Sequence, residues 1–140
     1  MAGLKLDGAG LVKLKTLDEA VLLLQRINGL VEQYGLAIKR GQPATVYVMN
    51  IRRTFPTLAE NLKAQFGLIS DLVTTVNLAT SRGASEQMKL RGMREGVAQI
   101  KQAIEIAITQ TKAKHAVRDE KEEKEKDEKD EPAAGGDAAQ

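Results

Sequence analysis

His115 is the only histidine in a chain of 140 residues that contains no cysteine. Those two facts narrow the chemistry at once. A thiolate metal site and a disulfide framework are excluded. A di-iron bundle needs Glu-x-x-His from each of two helices, and a zinc site needs several His or Cys ligands. One imidazole supplies neither. An acyl-transfer triad would have to join His115 to Ser70, Ser81 or Ser85, and nothing in their spacing sets a nucleophile beside a base. Asp7-Gly8-Ala9-Gly10 lacks the Lys and Ser/Thr of a phosphate loop, and no G-x-G-x-x-G is present. The acids of the central region (Glu32, Glu60, Asp71, Glu86, Glu95, Glu105) fall singly on polar faces, with no pair enforced by spacing. No catalytic residue, metal ligand or cofactor is expected, and the chain reads as a non-enzyme.

The basic residues are the remaining source of chemistry. The net charge of +2 conceals a division: residues 119–140 hold ten acids and four lysines, net −6, so residues 1–118 carry +8. A basic body with an acidic extension suits contact with an anionic surface, and it equally suits plain solubility. The candidate anion contacts are Lys39, Arg40, Arg52, Arg53, Arg82, Lys89, Arg91 and Arg94, whose arginines can grip phosphate or carboxylate in a fork. No aromatic residues interleave with them, so base stacking lacks its platform and no helix-turn-helix spacing stands out. Nucleic-acid contact would therefore be made to phosphates, without sequence preference and with strong salt dependence. On that reading the acidic extension competes for the basic residues.

The elements that must position these residues are helices. Phe55, Leu62, Ile69 and Val76 recur every seven residues, with Leu58, Leu72 and Ala79 at the offset of three, which is a helical seam. Upstream, Leu17, Ala20, Leu24, Ile27, Val31, Tyr34 and Ile38 follow the same spacing, and Leu23, Leu30 and Ala37 widen the stripe. That width calls for two neighbouring helices. Thr16 with Glu19 makes a capping box for this first helix, and Gly41 its stop. Pro43 opens a second helix, whose seam keeps its phase across Pro56; the preserved phase favours a bend there over a break. Ser85 caps a third helix with a seam through Leu90, Met93, Val97, Ile100, Ile104 and Ala107. Gly92 and Gly96 on that helix imply close approach of a neighbour.

The expected fold is all-α: an antiparallel bundle of three long amphipathic helices, the second bent or split at Pro56, which would give a fourth. Residues 1–15 form an N-terminal arm, either flexible or a hairpin turning at Asp7-Gly8. Residues 16–118 are the bundle. Residues 119–140 are a charged tail, partly helical through its Glu–Lys pairs or disordered. Three antiparallel helices set Lys39, Arg40, Arg52 and Arg53 at one pole with Lys112, Lys114 and Arg118. Arg82, Lys89, Arg91 and Arg94 then share the other with Lys13 and Lys15.

No apolar run has the length of a signal peptide or a membrane span, so a cytoplasmic protein is expected and membrane contact is not. Helices of roughly 24, 40 and 30 residues would span about 36, 60 and 45 Å. The longest cannot bury its stripe against the other two without bending or meeting another copy. The leading expectation is therefore a non-catalytic structural or adaptor protein that self-associates or binds a protein partner. Its helix-packing seam is represented by Phe55, Leu62, Ile69, Val76, Val97 and Ile104. The alternative is the salt-dependent nucleic-acid binder with a modulating acidic tail.

Overall fold

A computed structural model describes residues 5–81 and 85–117, the side chains of Lys5 and Val117 excepted. Four helices account for nearly all of them: α1 (Gly8–Lys39), α2 (Thr45–Lys63), α3 (Gly67–Ser81) and α4 (Glu86–Lys114). Each runs antiparallel to the next, and α4 returns against α1, as the cross-helix partners show. Asn61 Nδ2 of α2 donates to Glu19 Oε1 of α1 at 3.3 Å. Ser70 Oγ of α3 donates to the Ala59 carbonyl of α2 at 2.8 Å. Gly92 and Gly96 of α4 face Thr80 and Val76 of α3, while Gly35 of α1 faces Leu90 and Arg94 of α4. The result is an up-down-up-down four-helix bundle, the arrangement that short connections favour.

The first helix starts earlier than a cap at Thr16 would place it. Asp7 is the N-cap, its Oδ1 accepting from Gly10 N–H at 2.7 Å. Thr16 lies inside the helix and turns its hydroxyl back to the Val12 carbonyl. Residues 8–15 are thus part of α1 rather than an arm. The hairpin at Asp7-Gly8 is replaced by a longer-range pairing: β1 (Lys5–Leu6) runs antiparallel to β2 (Ala116–Val117), with Leu6 opposite Ala116. A two-residue strand holds only because the helix ends beneath it are already together.

Pro56 lies inside α2 without ending it, as the preserved phase favoured; the second correction is that this helix stops at Lys63 and not near Arg82. Proline leaves the Arg52 carbonyl without its helical partner, but the residue is exposed, so water can satisfy that oxygen. The chain reverses instead at residues 64–66. Gln65 places a polar side chain in the seam there, and Gly67 weakens continuation. Phe66 N–H still bonds the Leu62 carbonyl at 2.7 Å, and the Phe66 carbonyl accepts from Ser70 N–H at 3.0 Å to begin α3. The helix of about forty residues expected from the seam is thereby folded into a hairpin of 19 and 15 residues, and the mismatch is inverted, since α1 and α4, with 32 and 29 residues, are now the longer elements.

The core is aliphatic. Leu17, Ile27, Val31, Ile51, Phe55, Leu58, Leu62, Val73 and Ile100 are fully buried, with Tyr34, Met93 and Ile104 nearly so. Close approach of α3 and α4 depends on glycine: a Cβ at Gly96 would collide with the Val76 side chain, and Gly92 meets Thr80 Cγ2. Helix α4 ends at Lys114, where His115 is the C-cap, so it does not run on as a solvated extension. The acidic segment 119–140 and the remaining residues of the N-terminal arm, 1–4, lie outside the described residues.

Candidate functional site

Reversal at residues 64–66 changes which basic residues share an end. With four helices, the end of α1, the start of α2 and the start of α4 meet at one pole. Lys39, Arg40, Lys89 and Arg91 are therefore at that pole together, where three helices would have divided them; Arg94 lies further along α4, and Arg52 and Arg53 are near the middle of α2. Lys112 and Lys114 move to the opposite pole beside Lys13. Arg82 lies outside the described residues. Acids near the basic pole are Glu32, Glu86 and Glu95, so the pole retains a positive excess.

Two of the seven are partly engaged. Arg52 Nη2 donates to the Ser81 carbonyl at 3.1 Å, closing the end of α3. Arg94 Nη2 lies 3.3 Å from Glu32 Oε1 across the α1–α4 seam, and both side chains are half exposed, so this pair adds little to stability. Lys39, Arg40, Arg53 and Arg91 are exposed. Arg53 and Arg91 belong to α2 and α4, which are diagonal in the bundle. The charges spread from the pole along the bundle and do not converge on one point, a distribution that suits an extended anion better than a single phosphate.

The opposite pole is nearly balanced, with Lys13, Lys15, Lys63, Lys112 and Lys114 set among Asp7, Asp18, Glu19, Glu60 and Asp71. His115 closes it. Its ring lies against Gly10, where no Cβ would fit. Nδ1 is 3.1 Å from Asp7 Oδ1, and Nε2 is 3.2 Å from Lys13 Nζ. An ammonium only donates, so the Lys13 contact calls for Nε2 as acceptor, and Nδ1 faces the Asp7 carboxylate. The Gly10 N–H holds the Asp7 carboxyl below its ordinary range, opposed by partial desolvation and aided by His115 and Lys13. This cluster joins α1 to α4. Among the described residues no three His, Asp or Glu side chains assemble as a metal site.

An apolar groove of about 480 Å³ opens beside this pole between the start of α3 and the end of α4, lined by Phe66, Leu68, Ile69, Ala103, Ile106 and Ala107 among others. Leu68 is 86% exposed and Ile106 50%. Gly96 and Gly92 draw α3 and α4 together near the other pole, and the groove lies where no such glycine contact occurs. The seam residues Phe55, Leu62, Val76, Val97 and Ile104 are buried in the core, and Ile69 is half-buried at the groove edge. Leu68 escaped sequence reasoning because it was placed mid-helix in an uninterrupted seam. The signal available was Gly67, which makes Leu68 a first-turn residue.

Burial pushes the Tyr34 phenol above its ordinary value, an effect that Glu86 adds to and Arg52 opposes. Tyr34 is a core residue near the basic pole.

None of the described helices is long and apolar enough to cross a membrane. The fold defines the class: an antiparallel four-helix bundle with a basic pole. Compared with protein-family profiles, characterised proteins and solved structures, the chain matches none of them.

Proposed function

We propose that this protein is a non-catalytic helical module that works by self-association and protein–protein contact. The observation that carries the reading is the open groove between α3 and α4, with Leu68 and Ile106 exposed at its lip. Water-facing leucine and isoleucine side chains of this size are common singly; two sharing an apolar groove mark a surface to be covered. The test is light scattering on the full chain beside a Leu68→Asp/Ile106→Asp variant. The unmodified protein is expected as a discrete oligomer and the variant as a monomer of unchanged helicity. Monomeric behaviour of the unmodified chain at all concentrations removes the reading.

A second reading, phosphate contact with nucleic acid, is favoured by Lys39, Arg40, Lys89 and Arg91 sharing one pole, with Arg53 and Arg94 exposed further down the bundle. It predicts that Arg53→Glu/Arg91→Glu abolishes binding of a fluorescent DNA duplex at low salt. Binding by the unmodified protein should fall steeply as salt rises. A salt-independent affinity, or one that survives the double reversal, excludes it.

A further inference from the structure

We propose that two copies of this chain pair antiparallel through the outward face of α1, with the Gly29 of each at the crossing. This face is not the α3–α4 groove, so the inference goes beyond the contact proposed above and is tested apart from it.

The starting point is a glycine that a single bundle does not explain. Gly29 lies in the interior of a helix of 32 residues, and nothing comes within 4 Å of the position its Cβ would take. A glycine inside a helix costs about 1 kcal/mol relative to alanine, and no contact among the described residues requires it. Seven residues to either side stand Leu22 and Leu36, 65% and 48% exposed. A spacing of seven keeps the three positions on one line along the helix. Two exposed leucines flanking a glycine make a short apolar seam that a second helix can approach closely.

Charge decides what that second helix is. Asp18 and Glu19 lie eleven and ten residues before Gly29, and Lys39 and Arg40 lie ten and eleven after it. All four are exposed. At 3.6 residues per turn, Asp18 and Lys39 fall on one side of the seam, and Glu19 and Arg40 on the other. A two-fold axis between the Gly29 residues of two antiparallel copies sets each side against its own equivalent with the ends exchanged. Asp18 then meets Lys39 of the other copy, Glu19 meets Arg40, and Leu22 meets Leu36, each twice over. Nearer the centre Arg26 faces Gln33 and Gln25 faces Glu32, so no like charges are opposed. Glu32 lies beside its own Arg94 through Oε1, which leaves Oε2 for the Gln25 amide. A parallel pair would instead set acid against acid and base against base. The outward face of α1 is complementary to itself in one direction only.

One helix on one helix is a small contact, at the transient end of protein interfaces, and the absence of cysteine makes it direct to trap. Full-length Leu22→Cys and isotope-labelled Leu36→Cys are mixed at high concentration and mildly oxidised, and the linked species are weighed by mass spectrometry. The mixed disulfide is expected to exceed either like-with-like product by tenfold or more, because like positions are about 21 Å apart along the paired helices. Asp18→Lys/Glu19→Lys in both chains should return the products to the proportions of random pairing, and adding Lys39→Glu/Arg40→Glu to the same chains should restore the excess. The excess should also survive Leu68→Asp/Ile106→Asp in both chains, since those residues lie off this face. Products in random proportion from the two cysteine chains overturn the α1 pairing, and an oligomer seen by light scattering then leaves the groove contact standing. An excess that vanishes with Leu68→Asp/Ile106→Asp assigns the proximity to the groove and overturns the α1 pairing as well.

Discussion

His115 holds Asp7 from two directions. Its carbonyl accepts the Asp7 backbone N–H at 3.0 Å while its Nδ1 lies 3.1 Å from the Asp7 carboxylate. The C-cap of α4 and the N-cap of α1 are thereby one structure, and the first and last described helices are fastened end to end.

Acid should loosen that fastening. The folded-state pKa of Asp7 is depressed, chiefly by the Gly10 N–H. Such a group stabilises the fold above its unfolded pKa, and the contribution is lost as pH falls through the folded value. Asp7→Ala should lower the melting temperature at neutral pH, and its difference from the unmodified protein should shrink in strong acid. Melting curves by circular dichroism across that range check the sign; a difference that grows on acidification contradicts it.

Alkali acts at the other end of the molecule. The Tyr34 pKa is raised above its ordinary 10.0 by burial. The unfolded chain therefore loses this proton first, and stability falls as pH climbs above about 10. Tyr34→Phe should flatten that decline, measured as the urea midpoint against pH. An unchanged slope would place the titrating group elsewhere.

Glycines should respond oppositely according to what faces them. Nothing approaches the Cβ position of Gly29, on the exposed side of α1, so Gly29→Ala should stabilise by about 0.5–1 kcal/mol through helix propensity. A methyl at Gly96 meets Val76, and overpacking of this kind costs about 1–3 kcal/mol. Adding Val76→Ala to Gly96→Ala should recover part of the loss. Denaturant curves for the four proteins of the cycle give the coupling, and additive effects would mean that α3 and α4 do not touch there.

Pro56 offers a check on the chain path. Inside an exposed helical face, proline is less favourable than alanine by up to about 3 kcal/mol. Pro56→Ala should therefore raise the midpoint of urea unfolding. A neutral or destabilising result would mean that proline ends a helix at that position.

Much of this protein was legible in the sequence. The periodic apolar positions of Leu17–Ile38, Phe55–Val76 and Leu90–Ala107 required amphipathic helices, because only a helical period brings those side chains to one face. Ser85 was readable as a cap because its hydroxyl needs only a backbone N–H three residues on, and it accepts from Met88 at 3.2 Å. Such local rules are written in neighbouring residues.

Three features depended on contacts distant along the chain. Asp7 could be read as a turn residue or as a cap; what decides is His115, 108 positions away, together with the β1–β2 pairing. The reversal at residues 64–66 is marked locally only by Gln65 on the seam and by Gly67, while the apolar period runs straight through it. Folding α3 back onto α2 buries Val73 and Val76, which a straight helix of that length would leave without a neighbour. The company kept by the basic residues followed from this reversal alone, since one added turn inverts α4 and carries Lys89 and Arg91 to the end of the bundle that holds Lys39 and Arg40. Periodicity along a chain reports which face of a helix is buried; which end of the next helix lies beside it is decided by where the chain turns.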